Sequence, residues 1–573
     1  MFLLDLFRSF LPVRNPLGFG GTDFILLALA AALALLALLW RPVVEPMARA
    51  LAGRTAWCML VLAVLPVALR VLLLAHHPIP IPTVSDEFSH LLVADTLLHL
   101  RLVNPPHPLH QFFETFFVLQ EPSYSSIYAL GQGMVLALGR MLFGHPWAGV
   151  ALATGALCSL CYWMLRAWTT PGWALAGGLL CVMQFGPLCQ WMNSYWCGSV
   201  PAAAGCLVFG TLPRLRKNGR PRDAVLLGLG LALSLLTRPY ESIFLVLSVL
   251  LFFLLWHRRF LKTLTVAALV VTPAIALTLA QNKQGTGSWT TLPYMLSRYQ
   301  YGVPTTFTFE PNPVPHNPLT EAQQLYYNGQ SQVHGDEPET LASYVDRLGS
   351  RAGFYRFFFL APLLLVLPFF LPLLREFRYL WIALTFLMFA LGTNFYPYFF
   401  SHYLAAETCL FVLVAILGLQ RLSEWRIRGS EGGRLAVLAI LALCATHFLF
   451  WYGVHVQGDE QILYPMTAFE TAPGINFGDA EGRIAVEKRL AAEPGRQLVF
   501  VRYFTTHGYL EWIHNDADID NARVVWALEL NPEENAKLKS RYPDRKVWLM
   551  EPDAQPPKLV PYPASVGPFL TVE

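Results

Sequence analysis

Apolar runs alternate with short polar connections along most of the chain, at about 24–40, 55–75, 147–168, 173–190, 197–212, 223–238, 240–256, 262–281, 354–374, 377–395, 402–420 and 434–453. A helical crossing of a bilayer takes about 20 residues, so each run reads as a membrane helix or part of one. A further run, Leu130 to Phe143, is short, flanked by Gly131, Gly133 and Gly144, and interrupted by Arg140. It reads as a helix lying in, or dipping into, the interface. The pattern therefore predicts an all-α polytopic membrane protein with about 12–13 transmembrane or re-entrant helices.

Three polar regions interrupt the pattern: 76–129, 281–351 and everything after Trp451. In the tail, "RQLVFVRY", "ARVVWALEL" and "RKVWLMEP" read as strands, and "NPEENAKLKSRY" reads as a helix. Asn531 is its N-cap, Pro532 its first residue, and acids fill its first turn. The expected organisation is an N-terminal segment with an extra apolar helix (1–54), a transmembrane domain (55–455) and a small α/β domain (456–573). The tail has no Gly-rich phosphate loop and no nucleophile elbow, which leaves it a supporting role.

Composition agrees with this reading. Of 573 residues 55% are hydrophobic and 14% charged, with a mean hydropathy of +0.43. The net charge of +3 comes from basic clusters between apolar runs: Arg41, Arg49 and Arg54; Arg214, Arg216, Lys217, Arg220 and Arg222; Arg258, Arg259 and Lys262; Arg375 and Arg378; Arg421, Arg426, Arg428 and Arg434. Such clusters mark cytoplasmic connections, so they report topology rather than nucleic-acid binding. The three polar regions then face out. Met1 to Asn15 lacks a small-residue cleavage site, so no cleavable signal peptide is expected. All nine cysteines lie in or beside apolar runs, and the pair Cys158 and Cys161 reads as core packing. His76, His77, His107 and His110 are spaced irregularly among prolines, which makes no metal set.

The first outer region opens with "IPIPTVSDEFSHLL" (79–92), an adjacent acid pair, Asp86 and Glu87, just after an apolar helix. The plain structural reading is that Ser85 caps a helix beginning at Asp86, with both acids favouring its first turn and His90 one turn on. The layout from about 55 to 420 also resembles the GT-C class of membrane glycosyltransferases that use polyprenyl-phosphate sugars. That class includes protein O-mannosyltransferases and lipid A aminoarabinose transferases. "TGSWTTLPYMLSRYQYG", "LLTRPYES" (235–242) and "FFSHYLAAE" (399–407) look like outer-face segments of a bacterial subgroup. In "SSIYALGQG" the chain departs from it: Ile127, Ala129 and Leu130 stand where relatives carry a basic residue and a Pro-Pro pair.

The resemblance implies an inverting sugar transfer from a polyprenyl-phosphate donor to a lipid, glycan or protein hydroxyl, at the outer face of a bacterial cytoplasmic membrane. Asp86 would be the base, and Glu87 would position the acceptor or hold Asp86. A departing lipid phosphate needs cations in a partly dry cleft. Arg70, Arg101, Arg238, Lys283, Arg298 and His402 are the outer-face choices, and Arg298 and Arg238 stand out among them. Arg238 lies beside Pro239 and near Glu241, and Arg298 among Tyr294, Tyr299 and Tyr301; each is equally readable as an anchor or a solvated side chain. Tyr128 and His90 complete the candidate set, and no cofactor or metal is expected. Interfacial helices at about 88–100 and 130–143, with Phe112, Phe113, Phe116 and Phe117, are candidate walls for the lipid. An O-antigen polymerase or ligase is the alternative, and a transporter fits less well because the apolar runs hold few charges.

Overall fold

The structure, a computed structural model, describes residues 21–256, 261–335, 337–426, 431–457, 482–504, 507–508 and 510–562. The readings placed on Met1 to Asn15, Arg258, Arg259, Arg428 and the first part of the tail lie outside those residues. Two compact units emerge, one of Met1–Pro80, Leu138–Leu277 and Glu339–Gly478, the other of Ile81–Ala137, Thr278–Pro338 and Asp479–Glu573.

The first unit is helical and multi-pass. Five helices among the described residues are long and apolar enough to cross a membrane: Thr55–Ala75, Pro146–Trp168, Leu261–Thr286, Ser401–Ser423 and Gly432–Val456. Two bent pairs raise the number to seven. The other apolar runs form shorter helices such as Pro171–Phe185 and Phe377–Thr393. At 1.5 Å per residue a 15-residue helix spans only about 22 Å, less than the ~30 Å hydrocarbon layer. Ser199–Asn218 is long but diluted by Pro201, Gly205, Gly210 and the basic cluster from Arg214 to Lys217. At Gly205 a Cβ would lie 1.8 Å from the Ala406 carbonyl oxygen, so only glycine allows this helix so close to 401–407. The apolar run at 354–374 is not an α-helix but two 3₁₀ segments, Ala352–Phe358 and Ala361–Arg375. Pro368 and Pro372, inside the second segment, each remove an amide donor from the ladder, which accounts for the departure. Cys58, Cys158, Cys161, Cys181, Cys206 and Cys409 are free thiols buried in this core, as the packing reading expects.

The second unit contains the α/β part. Strands β1 (Val118–Leu119) and β2 (Ser125–Ser126) form a small antiparallel ribbon. Strands β3 (Gln497–Val501), β4 (Val524–Leu528), β5 (Lys546–Glu551) and β6 (Lys558–Pro561) form a sheet of order β4-β3-β5-β6, parallel except for β6. The three parallel strands are those expected from the sequence. So is the helix Pro532–Arg541, in which Asn531 accepts the Glu534 amide at 2.9 Å. β3 is buried along its whole length, as a central parallel strand must be. Its side chains alternate between two cores. Leu498 and Phe500 pack with Phe112, Phe113 and Leu92 from the first polar region, while Val499 and Val501 pack with Trp512, Trp526 and Trp548. Phe112 and Phe113 therefore fill the core of this sheet, and Phe116 and Phe117 join Ile127, Tyr301 and Val303 in another cluster. All four are buried, and Phe112 and Phe113 are taken up by the core of the sheet.

Candidate functional site

The Asp86 carboxylate is carried by the helix Ser85–Leu98. Val84 is extended and gives no side-chain cap; the helix starts at Ser85, one residue earlier than a Ser85 cap would place it. Asp86 and Glu87 lie in the first turn, where the exposed amides and the helix dipole favour negative charge. Glu87 is buried and turns back, its Oε2 accepting the Thr83 amide at 2.9 Å.

A period of 3.6 residues gives this helix two working faces. Ser85, Phe88, Leu92 and Asp95 form one stripe and meet the C-terminal segment. Phe88 stacks on His514 with ring centres 4.4 Å apart, and Asp95 Oδ2 accepts the Ala517 amide at 2.7 Å. Asp86, Ser89, His90 and Val93 form the second stripe. There the Tyr128 hydroxyl donates to Asp86 Oδ1, and the His90 ring stacks on the Tyr128 ring at 4.4 Å. Ser89 Oγ donates to the Phe117 carbonyl and shares a 2.7 Å hydrogen bond with Ser126 Oγ, tying the helix to the β1–β2 ribbon. Val93 faces Gly133, where a Cβ would come within 2.2 Å of Val93 Cγ1. The glycine is what lets the helix Leu130–Phe143 approach.

Tyr128 is held from several sides. Its amide donates to Ser126 Oγ at 3.0 Å, its carbonyl accepts Gln281 Nε2 at 2.9 Å, and Phe117 packs 6.0 Å from its ring. Burial, then the charge of Asp86 beside it, pushes the phenol well above its ordinary value. It therefore remains protonated and serves as a fixed donor. The phenols of Tyr294 and Tyr326 also act electrostatically on it.

Arg298 places its guanidinium over the Tyr294 ring at 5.3 Å, with Glu310 at 4.0 Å and the Pro304 and Thr305 carbonyls at 3.4 Å. Asp86, His90 and Tyr128 thus form one connected group, and Arg298 with Tyr294 forms another; Tyr128 and Tyr294 both pack against the cluster of Phe116, Phe117, Ile127 and Tyr301. Lys283 is elsewhere engaged, donating to the Gly287 carbonyl at 2.7 Å. Tyr299 is exposed and stacks on His316. Tyr301 is buried and hydrogen-bonds Glu114, whose carboxyl is raised by burial.

Arg238, Glu241 and His402 belong to the first unit. Arg238 Nε donates to Glu241 Oε1 at 3.0 Å and its guanidinium lies 4.6 Å from the Tyr403 ring. His402 meets the same ring edge-on at 4.8 Å. Arg70 is fully buried and committed to Asn193 Oδ1 and the His77 and Pro78 carbonyls, which removes it from the list of ligand cations. Arg101 is exposed.

Sequence reasoning passed over Glu511, Gln281 and Glu407. Glu511 is buried and accepts four side-chain or backbone donors. Glu407 is fully buried, and its signal was a lone acid at the mouth of the apolar run from Thr408. Nothing in the sequence around Gln281 marks it as the support of Tyr128.

No family model matches the chain, and no curated protein does. Among solved structures it is similar to ArnT from Cupriavidus metallidurans, both apo and bound to undecaprenyl phosphate, at 12% identity, with a TM-score of 0.46 over 87% of this chain and 93% of that one. It is also similar to the Archaeoglobus fulgidus oligosaccharyltransferase, at 12% identity, with a TM-score of 0.39 over 87% of this chain and 69% of that one.

Proposed function

We propose that the chain is an inverting glycosyltransferase that moves a sugar from a polyprenyl-phosphate donor to an acceptor hydroxyl at the extracytoplasmic face of a bacterial cytoplasmic membrane. The observation that carries this is the half-buried Asp86 carboxylate, aimed by the Tyr128 hydroxyl and the first turn of its helix. An alcohol is a poor nucleophile at neutral pH, and a positioned carboxylate contributes about 10²–10⁴-fold by taking its proton. In the step, the acceptor oxygen bonds to the anomeric carbon from the face opposite the phosphate. The carbon–phosphate oxygen bond breaks, the proton passes to Asp86, and the lipid phosphate departs with its electron pair. Arg298, which lies over Tyr294 on the aromatic cluster that Tyr128 also packs against, is assigned to that phosphate. Glu87, turned back to Thr83, holds the helix entrance.

The test is turnover by the purified protein in lipid, with undecaprenyl-phosphate sugars as first donors and lipid, glycan and peptide hydroxyls as acceptors. Asp86→Asn is expected to lose at least about 10²-fold in kcat. Arg298→Ala is expected to bind donor more weakly, and Arg238→Ala is measured alongside it. Wild-type turnover in Asp86→Asn removes the base assignment, and wild-type donor affinity in Arg298→Ala removes the phosphate assignment.

A further inference from the structure

Glu511 sits where two stretches of chain meet, and its two oxygens divide between them. Oε1 accepts the Tyr503 hydroxyl at 2.9 Å and the Ile513 amide at 2.8 Å, both in the C-terminal part. Oε2 accepts the Thr115 hydroxyl and, at 3.4 Å, the hydroxyl of Ser85, the residue before Asp86. The backbone repeats the link: the Glu511 amide donates to the Thr83 carbonyl at 2.9 Å, and Leu510 pairs antiparallel with Val84. Arg483 closes the arrangement from behind. It donates to the Glu511 carbonyl, and its guanidinium lies 4.2 Å from the Trp512 ring and 5.0 Å from that of Phe88.

Each residue from Thr83 to Ser85 is thus pinned to 510–511, immediately before Asp86. A helix entrance is ordinarily the frayed end of the helix, since its first amides lack intrahelical partners. Here an isolated β-bridge and a buried carboxylate stiffen it. A carboxylate that accepts from both stretches at once ties the first turn to the C-terminal part at several points.

We propose that Glu511 is a positioning residue for Asp86, so that the C-terminal α/β part is a working piece of the catalytic machinery. This rests on the function proposed above. A misplacement of the base by about 1 Å is enough to cost 10²-fold in rate, while the donor phosphate, held elsewhere, should not notice it. The signature is therefore a loss in kcat without a loss in donor affinity.

The experiment compares full-length wild type, Glu511→Ala, Glu511→Gln and Ser85→Ala, with the exposed Glu533→Gln as control. It measures kcat, donor KM and amide hydrogen exchange across 81–98. Glu511→Ala is expected to lower kcat at least tenfold with donor KM within twofold, and to speed exchange at 83–90 while strands β3 and β5 stay protected. Glu511→Gln keeps the Oε1 acceptor and should recover part of the loss; Ser85→Ala should show a smaller loss of the same kind. Wild-type kcat in Glu511→Ala, or a loss confined to KM, overturns the proposal, as does unchanged exchange at 83–90. The exchange arm needs no turnover, so it judges the clamp even if glycosyl transfer itself fails. General loss of protection in both Glu511 variants would mean a purely structural carboxylate and would also overturn it.

Discussion

A phenol that cannot ionise is a dependable partner for a carboxylate that must. Because burial and the neighbouring Asp86 charge both hold the Tyr128 proton on, its donation to Asp86 persists through the alkaline range in which an ordinary phenol ionises. Tyr128→Phe keeps the ring that stacks on His90 and removes only the donor. We expect kcat to fall about tenfold, the size of one lost hydrogen bond of 1–2 kcal/mol. Donor KM should hold, and no alkaline limb near the ordinary phenol value should separate the two proteins; equal kcat values would show that Asp86 is aimed by other contacts. Gly133 makes the second test. Alanine there puts a methyl 2.2 Å from Val93 Cγ1 and 2.5 Å from Val93 Cβ, an overpacking that costs about 1–3 kcal/mol. Val93→Ala in the same chain should return part of it, read as a thermal shift in detergent, and strictly additive losses would argue against the contact. The acid pair and Tyr128 stand out in the sequence one at a time. Their pairing does not, because 42 residues and the fold of the β1–β2 ribbon separate them.

The Asp86 helix shows what a period can and cannot tell. Its apolar and polar positions are mixed, since both stripes are buried and each carries a polar group with a specific partner: Ser85 and Asp95 on one, Asp86 and Ser89 on the other. A pattern that assumes one wet face misreads such a strut as an interfacial helix. The tail was more legible because each of its parallel strands is a continuous apolar run between turn residues, and its last helix carries its own start signal. That start signal can be tested apart from catalysis. Asn531→Ala removes the cap on the Glu534 amide and should cost about 1 kcal/mol while leaving kcat unchanged. Leu92→Ala, which empties a place in the core shared with Phe112 and Leu498, should cost about 2–5 kcal/mol and lower kcat as well. If the two variants affect turnover alike, the Asp86 helix is not the element through which the sheet acts.

Across the molecule the membrane helices were the most legible feature and the assembly of the second unit the least. Apolar runs announce themselves, whereas nothing local in "PPHPLHQFFETFF" says that its aromatics complete a sheet about 380 residues later. That assembly has a pH dependence of definite sign. His514 is stacked between Phe88 and Trp526, and burial, with Arg483 nearby, depresses it to about 3; His107, against Asp520 and Tyr542, is also lowered by burial. A histidine depressed in the folded state contributes stability that is complete above its unfolded value of about 6.5 and drains away as pH falls toward the folded one. For His514 the window runs from about 6.5 to about 3, worth on the order of 5 kcal/mol. Asp520 adds a lower window: partial burial opposes the shift, but hydrogen bonds from Arg541 and Tyr542 hold it at about 2, so its contribution is lost between about 4 and 2. The protection factors of β3 to β5, that is, exchange rates corrected for the intrinsic pH dependence of amide exchange, should therefore fall steadily below pH 6.5. His514→Phe keeps the ring stack and removes that proton site, so its protection factors should fall less steeply between about pH 6.5 and 4.5, with His107 accounting for the slope that remains. An equally steep slope in that variant would move the acid sensitivity away from the face that holds the Asp86 helix.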